Sequence, residues 1–269
     1  MLDKIRVRPD HDLDLDDFDP RETFGWEKEA AKAELVTVME RAAVLQARLF
    51  AEERRALLVV LQAFDAAGKD GTIRSVFTGL NPAGVKVTGF RVPSGREVKQ
   101  DYLWRVHAAC PGTGEIGVFN RSHYEDVLVV RVKQFVPESR WKRRYDHIRH
   151  FEQLLTDEGT KVVKIFLNVS AEEQRARFQD RIDDPEEQWK FRLGDLDDRA
   201  LWDDYRAAYR DALERTSTDD CPWYVVPADR KWVRNLAVAR ILVDALEAID
   251  PQLPEPEAGL EGLVVAPLD

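Results

Sequence analysis

Cysteine is scarce in this chain: Cys110 and Cys221 are the only two in 269 residues. Each precedes a proline and they lie far apart, so neither a disulfide framework nor a zinc-ligand spacing is present. Long apolar runs are missing as well. No stretch of 18 apolar residues occurs, which excludes a membrane-spanning helix, and Met1-Leu2-Asp3-Lys4-Ile5-Arg6 lacks the apolar core of a signal peptide. The expectation is a cytoplasmic protein with no membrane partner. Positive charge is outnumbered, and the net charge of −10 argues against nonspecific nucleic-acid binding, although a net value hides local fields. Neither an internal repeat nor the Asn-Lys-x-Asp motif of guanine-nucleotide switches occurs.

What is present is a highly charged globular sequence, 44% hydrophobic and 33% charged, long enough to bury a full core in one large domain or two small ones. The stretch Val59-Val60-Leu61-Gln62-Ala63-Phe64-Asp65-Ala66-Ala67-Gly68-Lys69-Asp70-Gly71-Thr72-Ile73 organises it. A β-branched apolar run enters a loop of small residues carrying a Gly-Lys pair, and an amphipathic segment follows. Such a loop holds phosphate oxygens on backbone N–H groups and a helix N-terminus, here from Ala66, Ala67, Gly68, Asp70, Gly71 and Thr72, with Lys69 as a point charge. The match to G-x-x-x-x-G-K-[ST] is imperfect: Ala63 stands at position one, and Asp70 replaces the magnesium-binding hydroxyl. Asp65 is the candidate replacement metal ligand, since magnesium takes one or two carboxylates plus phosphate oxygens. A plain glycine turn between strand and helix is the structural alternative.

Residues 1–25 include an acidic arm, with Asp10, Asp12, Asp14, Asp16, Asp17, Asp19 and Glu22, read as a solvated or docked extended segment. Trp26–Glu53 reads as a long helix whose stripe Leu35, Val38, Ala42, Leu45, Leu49 packs on a sheet or forms a subunit contact. Strands are expected at Leu57–Leu61, Val85–Phe90, Ile116–Phe119, Val162–Leu167 and Trp223–Val226. Helices are expected at Ile73–Leu80, Val98–Ala109, Ser139–Thr156, Ala171–Ile182, Arg199–Leu213 and Val233–Ile249. This alternation predicts an α/β fold, a mainly parallel sheet with helices on both faces, spanning 26–250 with an extended tail at 251–269.

Three further clusters carry chemistry. Past the third strand comes Asn120-Arg121-Ser122-His123-Tyr124-Glu125-Asp126, which a parallel sheet directs into the ligand crevice. Arg121 is a candidate phosphate clamp, unless it merely pairs with Glu125; Asn120 stands where P-loop enzymes carry a metal-holding aspartate. His123 invites a phosphohistidine role, against which a structural histidine is weighed. From Arg131 to His150 positive charges exceed negative ones by five, among them Lys133, Arg143 and Arg144, which suggests a docking track for a polyanion or, for an isolated helix, a solvated face. Arg177 and Arg181 lie one helical turn apart, able to close over transferring phosphates or to form surface pairs. The proline-broken Asp183–Phe191 then reads as part of a mobile lid covering about 171–200.

Together these residues resemble polyphosphate kinase family 2. Asp65–Ile73 is similar to its first signature, Phe119–Val129 to its second, and Arg177 through Lys190-Phe191 to its lid, in the right order over about Arg6–Ile249. The resemblance implies a single P-loop kinase-like domain, similar to thymidylate kinase, with a helical lid, Mg2+ dependence and a homo-oligomer, dimer or tetramer. It further implies Mg2+-assisted transfer of a phosphoryl group between inorganic polyphosphate and AMP or ADP, with guanine nucleotides as an additional option. The Asn120 and Glu125 pair is similar to the class III subgroup, associated with both acceptors. On this reading Asp65 carries metal or activates the acceptor, Lys69 and Arg121 hold phosphates, and Arg177, Arg181 and Lys190 serve the lid. An ATP-dependent nucleotide kinase and a non-catalytic nucleotide switch are the rival functions.

Overall fold

The computed structural model describes residues 1–9, 11–265 and 267; Asp10 of the acidic arm and Ala266, Leu268 and Asp269 of the tail lie outside them. Five parallel strands, β1 (Ala56–Ala63), β2 (Val85–Gly89), β3 (Ile116–Asn120), β4 (Thr160–Asn168) and β5 (Trp223–Pro227), form one sheet in the order β2-β3-β1-β4-β5. The helices are α1 (Leu2–Ile5), α2 (Lys28–Glu52), α3 (Lys69–Phe77), α4 (Trp104–His107), α5 (Val129–Val132), α6 (Glu138–Asp157), α7 (Ala171–Asp183), α8 (Gly194–Ala200), α9 (Trp202–Thr216) and α10 (Lys231–Ile249).

Strand β1 is central and buried at all eight positions, as its unbroken apolar run requires when helices cover both faces. Its neighbours are β3 and β4. From β1 the chain goes to the edge strand β2, returns to β3 beside β1, then crosses to β4 and β5 on the other side, and such a reversal opens a crevice at the carboxyl ends of the strands. The α2 stripe packs inside the chain: Ala42, Leu45 and Leu49 are buried, and α2 lies along α10. Val36 and Val44 of α2 remain exposed, at 60% and 49%.

Three element boundaries differ from expectation for local reasons. Helix α3 starts at Lys69 rather than Ile73, because Gly68 at φ 101° turns the chain straight from loop into helix. The helical run foreseen over Val98–Ala109 is reduced to a 3-10 turn at Glu97–Lys99 and the four-residue α4; Asp101 interrupts it by accepting the Leu103 N–H on its own side chain. The single helix over Arg199–Leu213 is two, α8 and α9, with Leu201 between them.

The acidic arm is docked. It crosses the carboxyl ends of β4 and β5, where Asn168 donates to Phe18 O at 2.7 Å and Asp229 N to Pro20 O at 3.1 Å. Asp16 pairs with Arg206 of α9 at 2.6 Å. Beneath the far side of the crevice sits a buried polar cluster. Lys164 Nζ of β4 donates to Glu152 of α6 at 2.5 Å and to Thr216 O at 2.6 Å, and Tyr124 Oη donates to the same carboxylate at 2.8 Å. Burial alone would raise the Glu152 carboxyl; Lys164 and His123 outweigh it and hold it below the ordinary carboxylate range. The cluster ties the segment after β3 to α6, α9 and the sheet, and so fixes the crevice wall from behind.

Candidate active site

The loop between β1 and α3 is built so that its carbonyls face away from the crevice. Ala66 at φ 62° and Gly68 at φ 101° occupy the left-handed region, which reverses successive peptides. Phe64 O accepts from Ala67 N, Asp65 O from Gln174 Nε2 at 3.0 Å, Ala66 O from Arg177 at 3.0 Å, and Gly68 O from Thr72 N at 2.9 Å. Ala67 O accepts from both Arg177 at 2.9 Å and Arg234 at 3.0 Å. The N–H groups of Ala66, Gly68, Lys69, Asp70 and Gly71 meet no protein acceptor among the described residues. Free donors at a helix N-terminus, with the loop carbonyls already engaged, are an arrangement able to hold an anion.

Charged side chains converge on this cradle. Lys69 Nζ reaches back to Ala63 O at 3.2 Å, and its ammonium is pushed down to about 8, by burial first and by the Arg121 guanidinium second. Arg121, at φ 63° directly after β3, donates to Asp65 Oδ1 at 2.6 Å and lies 3.4 Å from Glu125. Glu125 foremost, and Asp65 after it, hold Arg121 firmly charged against its burial. Gln62, inside β1, locks Glu125 in turn: with its amide oriented to satisfy both atoms it donates to Glu125 Oε1 at 2.9 Å and accepts from Ser122. Asn120 Nδ2 donates to Asp70 Oδ1 at 2.6 Å. Asp70 thus joins the end of β3 to the first turn of α3, where a carboxylate also suits the helix dipole.

Asp65, Lys69, Arg121, Asn120, Glu125 and the loop peptides therefore share one site. Other expected members are placed elsewhere. Thr72 is fully buried and its hydroxyl is spent on Gly68 O at 3.1 Å, since at helical spacing it shares the inward face with Val76. Arg144 is not on an exposed track: its guanidinium donates to Asp126 O and Oδ1, both at 2.8 Å, and stacks on Tyr102. Lys133 pairs with Asp198 at 2.6 Å, whereas Arg143 on α6 is exposed and forms no ion pair among the described residues. His123 is buried with Nε2 turned to Glu152 at 3.3 Å, so the phosphohistidine role has no geometry to support it.

The two arginines of α7 face different ways. Arg177 is buried behind the phosphate loop on four carbonyls, those of Ala66, Ala67, Ala228 and Asp229, and does not face the crevice. Arg181 forms no ion pair among the described residues and packs over Phe178. Burial raises the Asp195 carboxyl, with Asp65 adding to the effect and Arg181 opposing it; the start of α8 thus lies within electrostatic reach of the loop aspartate. Lys190 is bonded to Glu187, beside Trp189, which is 77% exposed. No cluster of three His, Cys, Asp or Glu side chains suited to a metal occurs among the described residues. The partly exposed Asp65 suits an ion that takes one or two carboxylates and completes its shell with substrate phosphates.

Arg234, Gln174 and Gln62 reach the loop and its supports but were not foreseen. One signal was available for Arg234, a cation between Val233 and Leu236 on a helix face whose other buried residues are all apolar. Gln62, a polar residue in the apolar run of β1, offered another.

A parallel sheet with a Gly-Lys loop after its central strand, and an arginine after the adjacent strand that reaches the loop aspartate, defines a P-loop kinase-like fold. The family model described as polyphosphate kinase 2 matches residues 25–254, and the chain belongs to that family of polyphosphate-dependent nucleotide phosphotransferases. It is 53% identical over 98% of its length, and all of the relative's, to the AMP/ADP-polyphosphate phosphotransferase of Meiothermus ruber. It is 47% identical to the ADP-polyphosphate phosphotransferase of Rhodopseudomonas palustris, covering 82% of this chain and 81% of that one. Among solved structures, polyphosphate kinase 2 from Arthrobacter aurescens superposes with a TM-score of 0.91 at 42% identity, over 96% of this chain and 92% of that one. No helix among the described residues is long and apolar enough to cross a membrane.

Proposed function

We propose that the chain transfers the terminal phosphoryl group of polyphosphate reversibly to AMP or ADP, forming ADP or ATP, with Mg2+ as the assisting ion. The observation that carries this reading is the phosphate loop itself, whose carbonyls are all turned onto donors while five N–H groups meet no acceptor among the described residues, beside Lys69 and Arg121. Both substrates bring phosphate oxygens, and in-line transfer between them asks the protein mainly for positioning and charge. Lys69 and the loop peptides hold one phosphate, Arg121 swings from Asp65 onto another, and Glu125 keeps Arg121 charged and aimed. Arg181 and Lys190 close over the reacting groups with the lid. Asp65 would hold the magnesium, which would supply charge neutralisation and orientation for the substrate phosphates. The exposed Val36 and Val44 of α2 suit a contact between copies in a cytoplasmic homo-oligomer.

Incubating the pure protein with magnesium, polyphosphate and either AMP or ADP should yield ADP and ATP respectively. Products made only when ATP is the donor would instead identify an ATP-dependent nucleotide kinase.

The charge state of Lys69 sets a pH dependence. In the free protein its pKa is about 8, so it is charged below that value and loses its proton above it. We expect kcat/KM to be level from about pH 6.5 to 7.5 and to fall above pH 8, approaching tenfold per unit. The stability effect has the opposite sign. A lysine whose pKa is lowered on folding burdens the folded state when charged, so its burden eases as pH rises from about 8 toward 10.5.

The structure divides the basic helix, and the division is testable. Arg143→Ala should raise KM for long-chain polyphosphate roughly two- to fivefold at low salt, less at high salt, with kcat little changed. Arg144→Ala should instead cost about 3 kcal/mol of stability by orphaning Asp126, read as a lower unfolding midpoint.

A further inference from the structure

Behind the phosphate loop lie two guanidinium groups, of which one is paired with a carboxylate. Arg177 pairs with Glu173 at 2.8 Å, while Arg234 has no ion-pair partner among the described residues. Arg234 is 2% exposed. Its donors go to Ala67 O at 3.0 Å and to the neutral amide oxygen of Asn235 at 3.0 and 3.2 Å, and Asn235 is itself anchored to Ser75 Oγ at 2.8 Å. A Cβ on Gly68 would stand 2.0 Å from Arg234 Nη1. Glycine is thus required there both for its positive φ and to leave room for the guanidinium. Burial first, and the neighbouring Arg177 second, push Arg234 down to about 10.

Burying a cation is costly unless an opposite charge or several dipoles answer it. Carbonyl and amide oxygens answer part of this one. The remaining counter-charge is missing from the protein side of the loop, and the opposite face of the same peptides is the anion cradle. The Ala67–Gly68 peptide, whose carbonyl both arginines hold, carries the Gly68 N–H that meets no acceptor among the described residues, so the arginines both orient that donor and add positive potential behind the loop.

We infer that Arg234, with Arg177, is a positioning residue for the polyphosphate anion, acting through the loop peptides and supplying the buried positive charge that the bound phosphate balances. This inference rests on the phosphate-site reading above and extends it to α10, outside the three motifs. It predicts that charge at this position matters more than the particular hydrogen bonds.

The test uses the full chain with Arg234→Met and Arg234→Lys, inorganic tripolyphosphate as the probe, titration calorimetry for affinity, and thermal unfolding with and without the probe. Arg234→Met should fold, because Arg234 has no ion-pair partner among the described residues to be left as an orphaned charge and methionine fills much of the same volume. Its dissociation constant for tripolyphosphate should rise about tenfold or more, and its unfolding midpoint should gain less from the ligand. Arg234→Lys keeps the charge and should bind within about threefold of the wild type. Wild-type affinity in Arg234→Met, or a loss in Arg234→Lys as large as in Arg234→Met, would overturn the inference. Should Arg234→Met fail to fold, Arg234→Lys decides: near-wild-type binding supports the charge role, and a loss of about tenfold overturns it. A wild-type protein that ignores tripolyphosphate would sink the phosphate-site reading and this inference with it, whereas binding by the wild type and Arg234→Met alike sinks the inference alone.

Discussion

Replacing Lys69 with alanine is expected to lower kcat/KM with polyphosphate and ADP by about three orders of magnitude, a loss typical of removing a charged donor aimed at the transferring group. The fold should not suffer. Among the described residues the Lys69 side chain makes one hydrogen bond, to Ala63 O, and its charge sits where burial and Arg121 disfavour it. Removing that charge relieves the folded state, so Lys69→Ala should unfold at the same temperature as the wild type or slightly above it near pH 7, a case of function held at the expense of stability. The two measurements belong together. A slow, well-folded variant that has also lost the decline in rate above pH 8 is the expected outcome. Activity within tenfold of wild type, or retention of the alkaline decline, would remove Lys69 from the phosphate site.

The strand–loop–helix core was legible because local chemistry dictates it. An unbroken apolar run such as Leu57–Leu61 has to be a strand covered on both faces, and a Gly-Lys pair at its end has to turn sharply into the next helix. The crevice residues Asp65, Lys69, Asn120 and Arg121 followed, since strand ends in a parallel sheet share one edge. Side-chain direction was not legible where the partner is remote in sequence. Arg144 stands beside Tyr145 at the margin of the apolar stripe of α6, and nothing local says that Asp126 will draw it inward. Arg177 and Arg181 share a helix face in projection, yet Arg177 turns to carbonyls more than a hundred residues away. Sequence spacing reports which face a residue occupies; it does not report which long, flexible cation finds a buried acceptor.

Asp65→Asn should separate chemistry from binding. The Asp65 carboxylate holds Arg121 at 2.6 Å, so on the proposed reading one aspartate is asked to do two things: restrain the phosphate clamp and take the metal. The amide keeps the shape but loses the charge, and with it both the ion pair and the affinity for a hard cation. Arg121 remains charged through Glu125, 3.4 Å away, which Gln62 holds in place. The expected result is a kcat about a thousandfold lower, a magnesium requirement shifted to higher concentration, and a KM for polyphosphate unchanged or reduced, because Arg121 no longer has to leave an anion to reach one. A parallel rise in KM with kcat preserved would show that Asp65 serves substrate binding alone. A kcat within tenfold of wild type at ordinary magnesium would require the metal to be held elsewhere. Arg121→Gln supplies the converse: with the clamp removed and Asp65 unrestrained, KM should rise while the magnesium dependence stays where it was.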